Sequence, residues 1–249
     1  MPTYGLIGKP LSHSFSPRYF HDKFQREALT EHSYHLFPIS SLEELPDLLA
    51  AHKDLRGLNV TIPYKEKILL YLDGISEEAE KIAAVNTLRI LSGKLYGYNT
   101  DVYGFEQSLR IWLRGEMPRA ALVLGTGGAS KAIRYVLQRL LIPYLLISRK
   151  EEKGDLTYHQ VDKKTMQKHP LIINTTPLGM PPYEDSLPPL PYHFLTKHNK
   201  LYDLVYNPQK TLFLAKGLER NCATINGLQM LHLQAEASWK IWNSGNLLS

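Results

Sequence analysis

Two kinds of residue cluster in this sequence can do chemistry. The first is Gly125-Thr126-Gly127-Gly128-Ala129-Ser130, which follows the apolar run Ala121–Leu124 directly and leads into a stretch of helical period. Glycines let a backbone turn tightly and approach a pyrophosphate, and the free N–H groups at a helix start supply donors and a positive dipole end. The strict dinucleotide fingerprint has Gly or Ala at its sixth position, where this chain has Ser130. Without a ligand, the same residues make a plain strand-to-helix turn. At the end of the next apolar run stand Ser148-Arg149-Lys150, with Lys153 close by. A protein that takes NAD places an Asp or Glu there to accept from the ribose 2′-hydroxyl. A guanidinium fork and added ammonium charge suit a 2′-phosphate instead, so the expected cofactor is NADP. The neighbouring Glu151 and Glu152 oppose that field, and the other reading of these charges is a solvated loop.

The second kind is polar. It comprises Ser12-His13-Ser14-Phe15-Ser16-Pro17, Asn59-Val-Thr61-Ile-Pro63-Tyr-Lys65, and Ala84-Val-Asn86-Thr87 followed by Asn99-Thr100-Asp101. Serine hydroxyls near a helix start can hold a carboxylate, Asn and Thr bond hydroxyls in both senses, and a Lys with an Asp offers a proton-transfer pair. The set suits a polyhydroxylated acid. Each member also has a plainer reading. Ser14 and Ser16 can cap a helix that begins near Pro17, Asp101 can be an N-cap, and Lys65 can be a surface lysine in a first helical turn. The ten histidines show no pair at metal-ligand spacing with a nearby carboxylate, so no metal is expected. The basic residues at 163–168 and 197–200 are scattered without interleaved aromatics, so no nucleic-acid surface is expected either.

The elements that must position these residues alternate along the chain. Tyr4–Gly8, Pro17–Leu29, Tyr34–Phe37, Leu42–Ala51 and Leu55–Ile62 read as strand, helix, strand, helix, strand. Such a rhythm demands a mainly parallel sheet covered by helices. Val85–Leu91 and Lys94–Tyr98 flank Ser92-Gly93 as a tight antiparallel hairpin. A second alternation runs through Ala120–Leu124, Ser130–Leu140, Tyr144–Ile147, Leu171–Asn174 and Lys200–Leu204. Asp101–Leu113 and Gly227–Trp242 read as helices joining the two series, and Pro177–Pro191 as a surface loop. The expectation is an α/β protein of two α/β domains, residues 1–100 with 227–249 and residues 101–226. The stretch Asp155–Lys168 is thin in apolar residues and stays unassigned.

The 249 residues are 43% hydrophobic and 21% charged with a formal charge of +5, which excludes a disordered or fibrous chain and mildly favours anionic ligands. Cys222 is the single cysteine, so no internal disulfide forms, and a reducing cytoplasm fits. No basic run followed by an apolar stretch opens the sequence, and no segment approaches ~18 consecutive apolar residues, so no membrane partner is expected. Monomer and homodimer both stay open.

In order along nearly the whole chain, these motifs resemble the shikimate dehydrogenases. Gly8–Pro17 is similar to that family's opening substrate motif, Asn59–Lys65 to its lysine motif, and Ala84–Thr87 with Asn99–Asp101 to its asparagine and aspartate motifs. Gly125–Ser130 resembles its glycine loop and Asn174-Thr-Thr-Pro-Leu-Gly-Met180 its domain-interface motif. Tyr202-Asp-Leu-Val-Tyr-Asn-Pro208 and Gly227-Leu-Gln-Met-Leu-His-Leu-Gln234-Ala resemble its tyrosine motif and final helix. The resemblance implies an N-terminal substrate-binding domain and a Rossmann-like NADP-binding domain with a cleft between them. It further implies reversible NADPH-dependent reduction of 3-dehydroshikimate to shikimate in aromatic amino-acid biosynthesis. By position, Ser14 and Ser16 would hold the substrate carboxylate, and Asn59, Thr61, Asn86, Asp101 and Gln234 the ring hydroxyls, with Tyr206 also touching substrate. Lys65 and Asp101 would be the catalytic pair. Gly125, Thr126, Gly127, Gly128, Ala129, Ser130, Arg149, Lys153, Thr175 and Thr176 would line NADP, with Leu204 and Gly227 at the nicotinamide.

The family often carries Asn-Arg-Thr after its second cofactor strand, and Ser148-Arg149-Lys150 keeps only the arginine. An NAD-using quinate and shikimate dehydrogenase would show an Asp near Arg149, and a silent dinucleotide-binding regulator would need neither Lys65 nor Asp101. Alone, Gln234 reads as a polar residue on a solvated helix face. An ordinary Lys near ~10.4 is a competent acid and a poor base at neutral pH. Burial would lower Lys65 and Asp101 would raise it, and the sequence leaves both open.

Overall fold

The computed structural model describes residues 1–11 and 14–245, so Ser12 and His13 of the first polar cluster lie outside the described residues. It forms two compact units, Met1–Thr100 with Gln234–Ser249, and Asp101–Leu233.

The first unit contains β1 (Thr3–Gly8), α1 (Ser16–Arg26), β2 (Ser33–Pro38), α2 (Leu45–Ala51), β3 (Leu55–Val60), β4 (Gly74–Ile75), α3 (Glu77–Ile82), β5 (Thr87–Leu91) and β6 (Lys94–Tyr98). Its sheet has the order β2-β1-β3-β5-β6-β4. β1 runs parallel to β2 and β3, and β5 lies antiparallel to both β3 and β6. The β5–β6 hairpin turns at Ser92 and Gly93, both with positive φ, the backbone a two-residue turn requires. The antiparallel pair therefore sits inside the sheet, and the edge beyond it is the two-residue β4, too short for the sequence to announce. Val85 precedes β5 instead of belonging to it.

All six residues of β1 are buried, as befits a strand covered on both faces. Ile7, Leu58, Val60, Ile68 and Leu88 fill one core, and Tyr4, Phe20, Phe24, Ala235 and Trp242 fill another. Gly57 makes room for the second. A Cβ there would stand 2.2 Å from Trp242 Nε1, and that indole N–H donates to Leu88 O at 2.9 Å.

The second unit contains α4 (Asp101–Leu113), β7 (Ala121–Leu124), α5 (Gly128–Arg139), β8 (Tyr144–Ser148), β9 (Leu156–Thr157), α6 (Lys163–Lys168), β10 (Leu171–Asn174), β11 (Lys200–Asp203), α7 (Leu212–Leu218) and β12 (Ala223–Ile225). Its six strands are all parallel, in the order β12-β11-β10-β7-β8-β9. Counted from β7 as the first, that is 3-2-1-4-5-6, the dinucleotide-binding order, with its switch point between β7 and β10. The stretch left unassigned by the sequence contains β9 and α6, and α6 is capped by Asp162, whose Oδ1 accepts the Thr165 N–H at 2.7 Å. α4 and α5 are joined through Glu106, which accepts from Arg110 Nε at 2.9 Å and from Arg139. Burial pushes the Glu106 carboxyl up, and the two guanidinium groups outweigh it, leaving it below its ordinary range. The sixteen-residue α8 (Leu228–Asn243) begins in the second unit and crosses into the first at Gln234, later in the chain than the sequence pattern placed the division. Among the described residues, no helix is long and apolar enough to cross a membrane.

Candidate active site

In the first unit the polar clusters gather at one end of the sheet. Chain order reverses between β1 and β3, and open α/β sheets bind ligands beyond the strand ends at such a point. The loops after these two strands are knit together. Thr61 N–H donates to Ile7 O at 3.0 Å, and Lys9 N–H to Ile62 O at 3.0 Å. A Cβ on Gly8 would stand 2.3 Å from Thr61 Cγ2, so only glycine permits this approach. Lys65 lies half-buried in the turn after Pro63, its carbonyl accepting from Val85 N–H at 2.8 Å. Ser14 and Ser16 are half-buried at the start of α1. Neither serves as its cap, because Phe15 is the N-cap residue and makes no side-chain cap bond.

Because β5 runs antiparallel to both β3 and β6, the start of β5 and the end of β6 lie at the end of the sheet where β3 finishes. Asn86 is buried there and its Oδ1 accepts from Thr100 N–H at 2.7 Å, while its Nδ2 donates to Thr100 Oγ1 at 2.9 Å. Gln234 faces this pair, with its Oε1 3.4 Å from Thr100 Oγ1 and 3.5 Å from Asn86 Nδ2. The solvated-face reading of Gln234 therefore gives way to an inward one. Asn59 is buried too, accepting at Oδ1 from Tyr34 Oη at 2.8 Å and donating from Nδ2 to Ser238 Oγ at 3.0 Å. Tyr34 and Ser238 escaped the sequence reading. Ser238 lies one helical turn beyond Gln234 on α8, a spacing that shares a face and was the one available signal.

In the second unit the glycine loop lies at the switch point. Gly125 adopts φ +104°, a conformation open to glycine, and a Cβ there would meet Thr176 Cγ2 at 2.9 Å and Thr175 Oγ1 at 3.0 Å. Thr175 Oγ1 donates to Leu124 O at 2.6 Å, and Thr176 Oγ1 to Asn174 Oδ1 at 2.6 Å. Gly127 is the N-cap of α5, and a Cβ built on it meets nothing within 4 Å, so this side of the loop is open beside the helix start formed by Gly128 and Ala129. Such an open helix start could hold a pyrophosphate. Ser130, the departure from the fingerprint, is fully buried under the loop with no hydrogen-bond partner for its hydroxyl. Thr126 is half-buried between the two glycines.

Arg149 and Lys153 are exposed just past β8, the strand whose end meets the ribose in this sheet order. Burial pushes the nearby Tyr158 phenol up to about 12, with the Arg149 charge pulling the other way. Gly227 packs so closely on the backbone after β11 that a Cβ would sit 2.1 Å from Leu204 O. Tyr206 is half-buried two residues further on.

Asp203 anchors this end of the sheet. Its carboxylate accepts from Asn174 Nδ2 at 2.9 Å, Val205 N–H at 3.0 Å and Thr211 Oγ1 at 2.6 Å. Desolvation nevertheless pushes it up to about 6, against those three bonds. Asp101, buried, opens α4 as its first helical residue and begins the second unit, whereas Lys65 belongs to the first. No group of three or more His, Cys, Asp or Glu among the described residues can hold a metal ion.

Residues 6–88 match the model of the shikimate dehydrogenase substrate binding domain. The chain is 40% identical over 259 residues to the NADP(+) shikimate dehydrogenase of Clostridium beijerinckii, covering 99% of this chain and 94% of that protein. It is 36% identical over 254 residues to that of Methanococcus maripaludis, covering 96% and 90%. The crystal structure of shikimate 5-dehydrogenase from Thermus thermophilus with NADP(H) and shikimate superposes with a TM-score of 0.85 at 32% identity, covering 99% of this chain and 95% of that one. The chain thus belongs to the shikimate dehydrogenase family, NADP-dependent oxidoreductases acting on a CH–OH group.

Proposed function

We propose that this protein catalyses the reversible NADPH-dependent reduction of 3-dehydroshikimate to shikimate, a step towards aromatic amino acids. The observation that carries the reading is the coexistence, in one chain, of a 3-2-1-4-5-6 sheet with an open glycine cradle and a polar sheet end bearing serines, carboxamides and a lysine. Ser14 and Ser16 hold the substrate carboxylate, Tyr206 also contacts the substrate, and Thr61, Asn86, Asp101 and Gln234 bond the ring hydroxyls, with Asn59 beside them. Gly125 to Ser130 cradle the pyrophosphate, Arg149 and Lys153 take the 2′-phosphate, Thr175 and Thr176 lie along the cofactor, and Leu204 and Gly227 line the nicotinamide. When bound, NADPH supplies the hydride.

The protein's own part in the chemistry is to manage charge on the reacting oxygen. As the carbonyl is reduced, negative charge develops on that oxygen, and the Lys65 ammonium stabilises it and delivers the proton. In the reverse direction Lys65 accepts that proton, with Asp101 as the second member of the catalytic pair. Domain assignment follows from these roles: the first unit binds substrate and the second NADP. A reducing cytoplasm suits the single thiol, which burial pushes up to about 11 and so keeps unreactive at neutral pH.

Absorbance at the nicotinamide band tests the reading, with shikimate or quinate offered alongside NADP or NAD. Fast reduction of NADP by shikimate is the expected result, a preference for NAD and quinate reassigns the substrate, and silence in every combination overturns the reading. Lys65→Ala should lower kcat by about 10²-fold or more with KM for shikimate nearly unchanged. Unchanged turnover removes Lys65 from the mechanism.

A further inference from the structure

The buried polar network of the first unit has a direction. A hydroxyl carries one proton, and a carboxamide oxygen only accepts. Tyr34 Oη gives its proton to Asn59 Oδ1 at 2.8 Å, so towards the neighbouring Ser16 hydroxyl the phenol oxygen has only acceptor capacity left. Asn59 Nδ2 passes the chain to Ser238 Oγ at 3.0 Å, and Ser238 Oγ donates to the backbone carbonyl of Gln234 at 3.0 Å. Thr87 Oγ1 lies 2.8 Å from Ser238 Oγ and 3.1 Å from Asn86 Oδ1, so its one proton is shared between these two acceptors. Ser238 is fully buried and also lies 3.2 Å from Thr100 Oγ1, the hydroxyl that meets the amides of Asn86 and Gln234.

One unbroken relay therefore runs from Tyr34 through Asn59 and Ser238 to Gln234, with Ser16 beside its Tyr34 end. On the function proposed above, Ser16 and Gln234 hold opposite sides of the substrate. Asn59 fits this role better than direct contact, since Tyr34, Thr87 and Ser238 already engage both ends of its amide. We infer that Ser238 and Tyr34 are positioning residues for substrate recognition, fixing the carboxylate-holding Ser16 and the hydroxyl-reading Gln234 and Asn86 relative to one another through this directed chain. Neither residue is assigned any contact with substrate.

The inference rests on the shikimate reading, and the experiment separates the two. Ser238→Ala retains a good helix former and the rest of the helix ladder, so it should fold, which near-UV circular dichroism checks. In wild type, Ser238→Ala, Gln234→Ala and the double variant, kcat and KM are measured for shikimate and for NADP. Ser238→Ala should raise KM for shikimate about tenfold, of the order of one buried hydrogen bond, with kcat and KM for NADP changed less than about twofold. The double variant should fall clearly short of the product of the two single effects, because Ser238 acts in part through Gln234. A wild-type KM in Ser238→Ala, or effects that multiply in the double variant, overturns the inference and leaves the shikimate reading intact. A wild type that does not turn over shikimate overturns both. Should Ser238→Ala fail to fold, Tyr34→Phe breaks the same relay at its other end, where the same split between KM and kcat is expected and a wild-type KM refutes it.

Discussion

Asp203 is fully buried, and its three donors are neutral, so nothing nearby compensates its charge in full. Its folded-state value, raised from 3.8 to about 6, means that the folded protein holds this proton more tightly than the unfolded chain. The contribution is therefore greatest below about pH 4 and is lost as pH rises through 6, by about 3 kcal/mol for a shift of this size. Glu106 has the opposite sign, since its lowered value gives stability that is present above its ordinary pKa and fades in acid. Urea unfolding of wild type and Asp203→Asn across pH 4 to 7 isolates the first effect. The difference in stability between them should shift with pH in favour of the variant, and a constant difference refutes the assignment. Lys65, Asp101 and Arg149 could be nominated from the sequence because each stands in a short motif that the family resemblance picks out. Tyr34 and Ser238 could not, because their partner Asn59 lies 25 positions from one and 179 from the other, and only the folded sheet brings them together.

The start of α8 is an element defined by closeness. Gly227 N–H donates to Val205 O at 3.1 Å, and the glycine α-carbon lies against the Leu204 carbonyl. Backbone cannot rotate aside as a flexible side chain can, so Gly227→Ala must part α8 from the β11 loop at about 1–3 kcal/mol. The expected outcome is a thermal midpoint lower by several degrees and a Kd for NADP raised about tenfold or more, read by cofactor fluorescence. An unaltered midpoint and Kd together refute the contact. The longer elements could be read in advance because β7, α5 and β8 carry clean apolar periods with a glycine turn between. β4, β9 and β12 have two or three residues each, below the length at which alternation exists, and α6 offers Met166 as its one buried apolar residue. Such elements are held by their neighbours and not by their own pattern.

At the scale of the whole molecule, the first unit is discontinuous in sequence. α8 supplies it with Trp239 and Trp242, and Trp242 stacks on Tyr4 at 4.8 Å and lies 5.4 Å from Phe20. Lys23, buried on α1, pairs with Glu236 of α8 at 2.8 Å, and Tyr19 donates to that carboxylate as well. A chain cut after Leu233 should lose the near-UV circular dichroism of this aromatic cluster and precipitate, because the removed rings leave a large cavity over β1. A soluble truncation with an intact near-UV signal would show that the first unit folds without them. Trp242 enters the core 154 positions after Leu88, the strand residue it bonds. On the ribosome, then, the sheet made first waits open while the entire second unit is synthesised, and its hydrophobic face is covered only when α8 emerges.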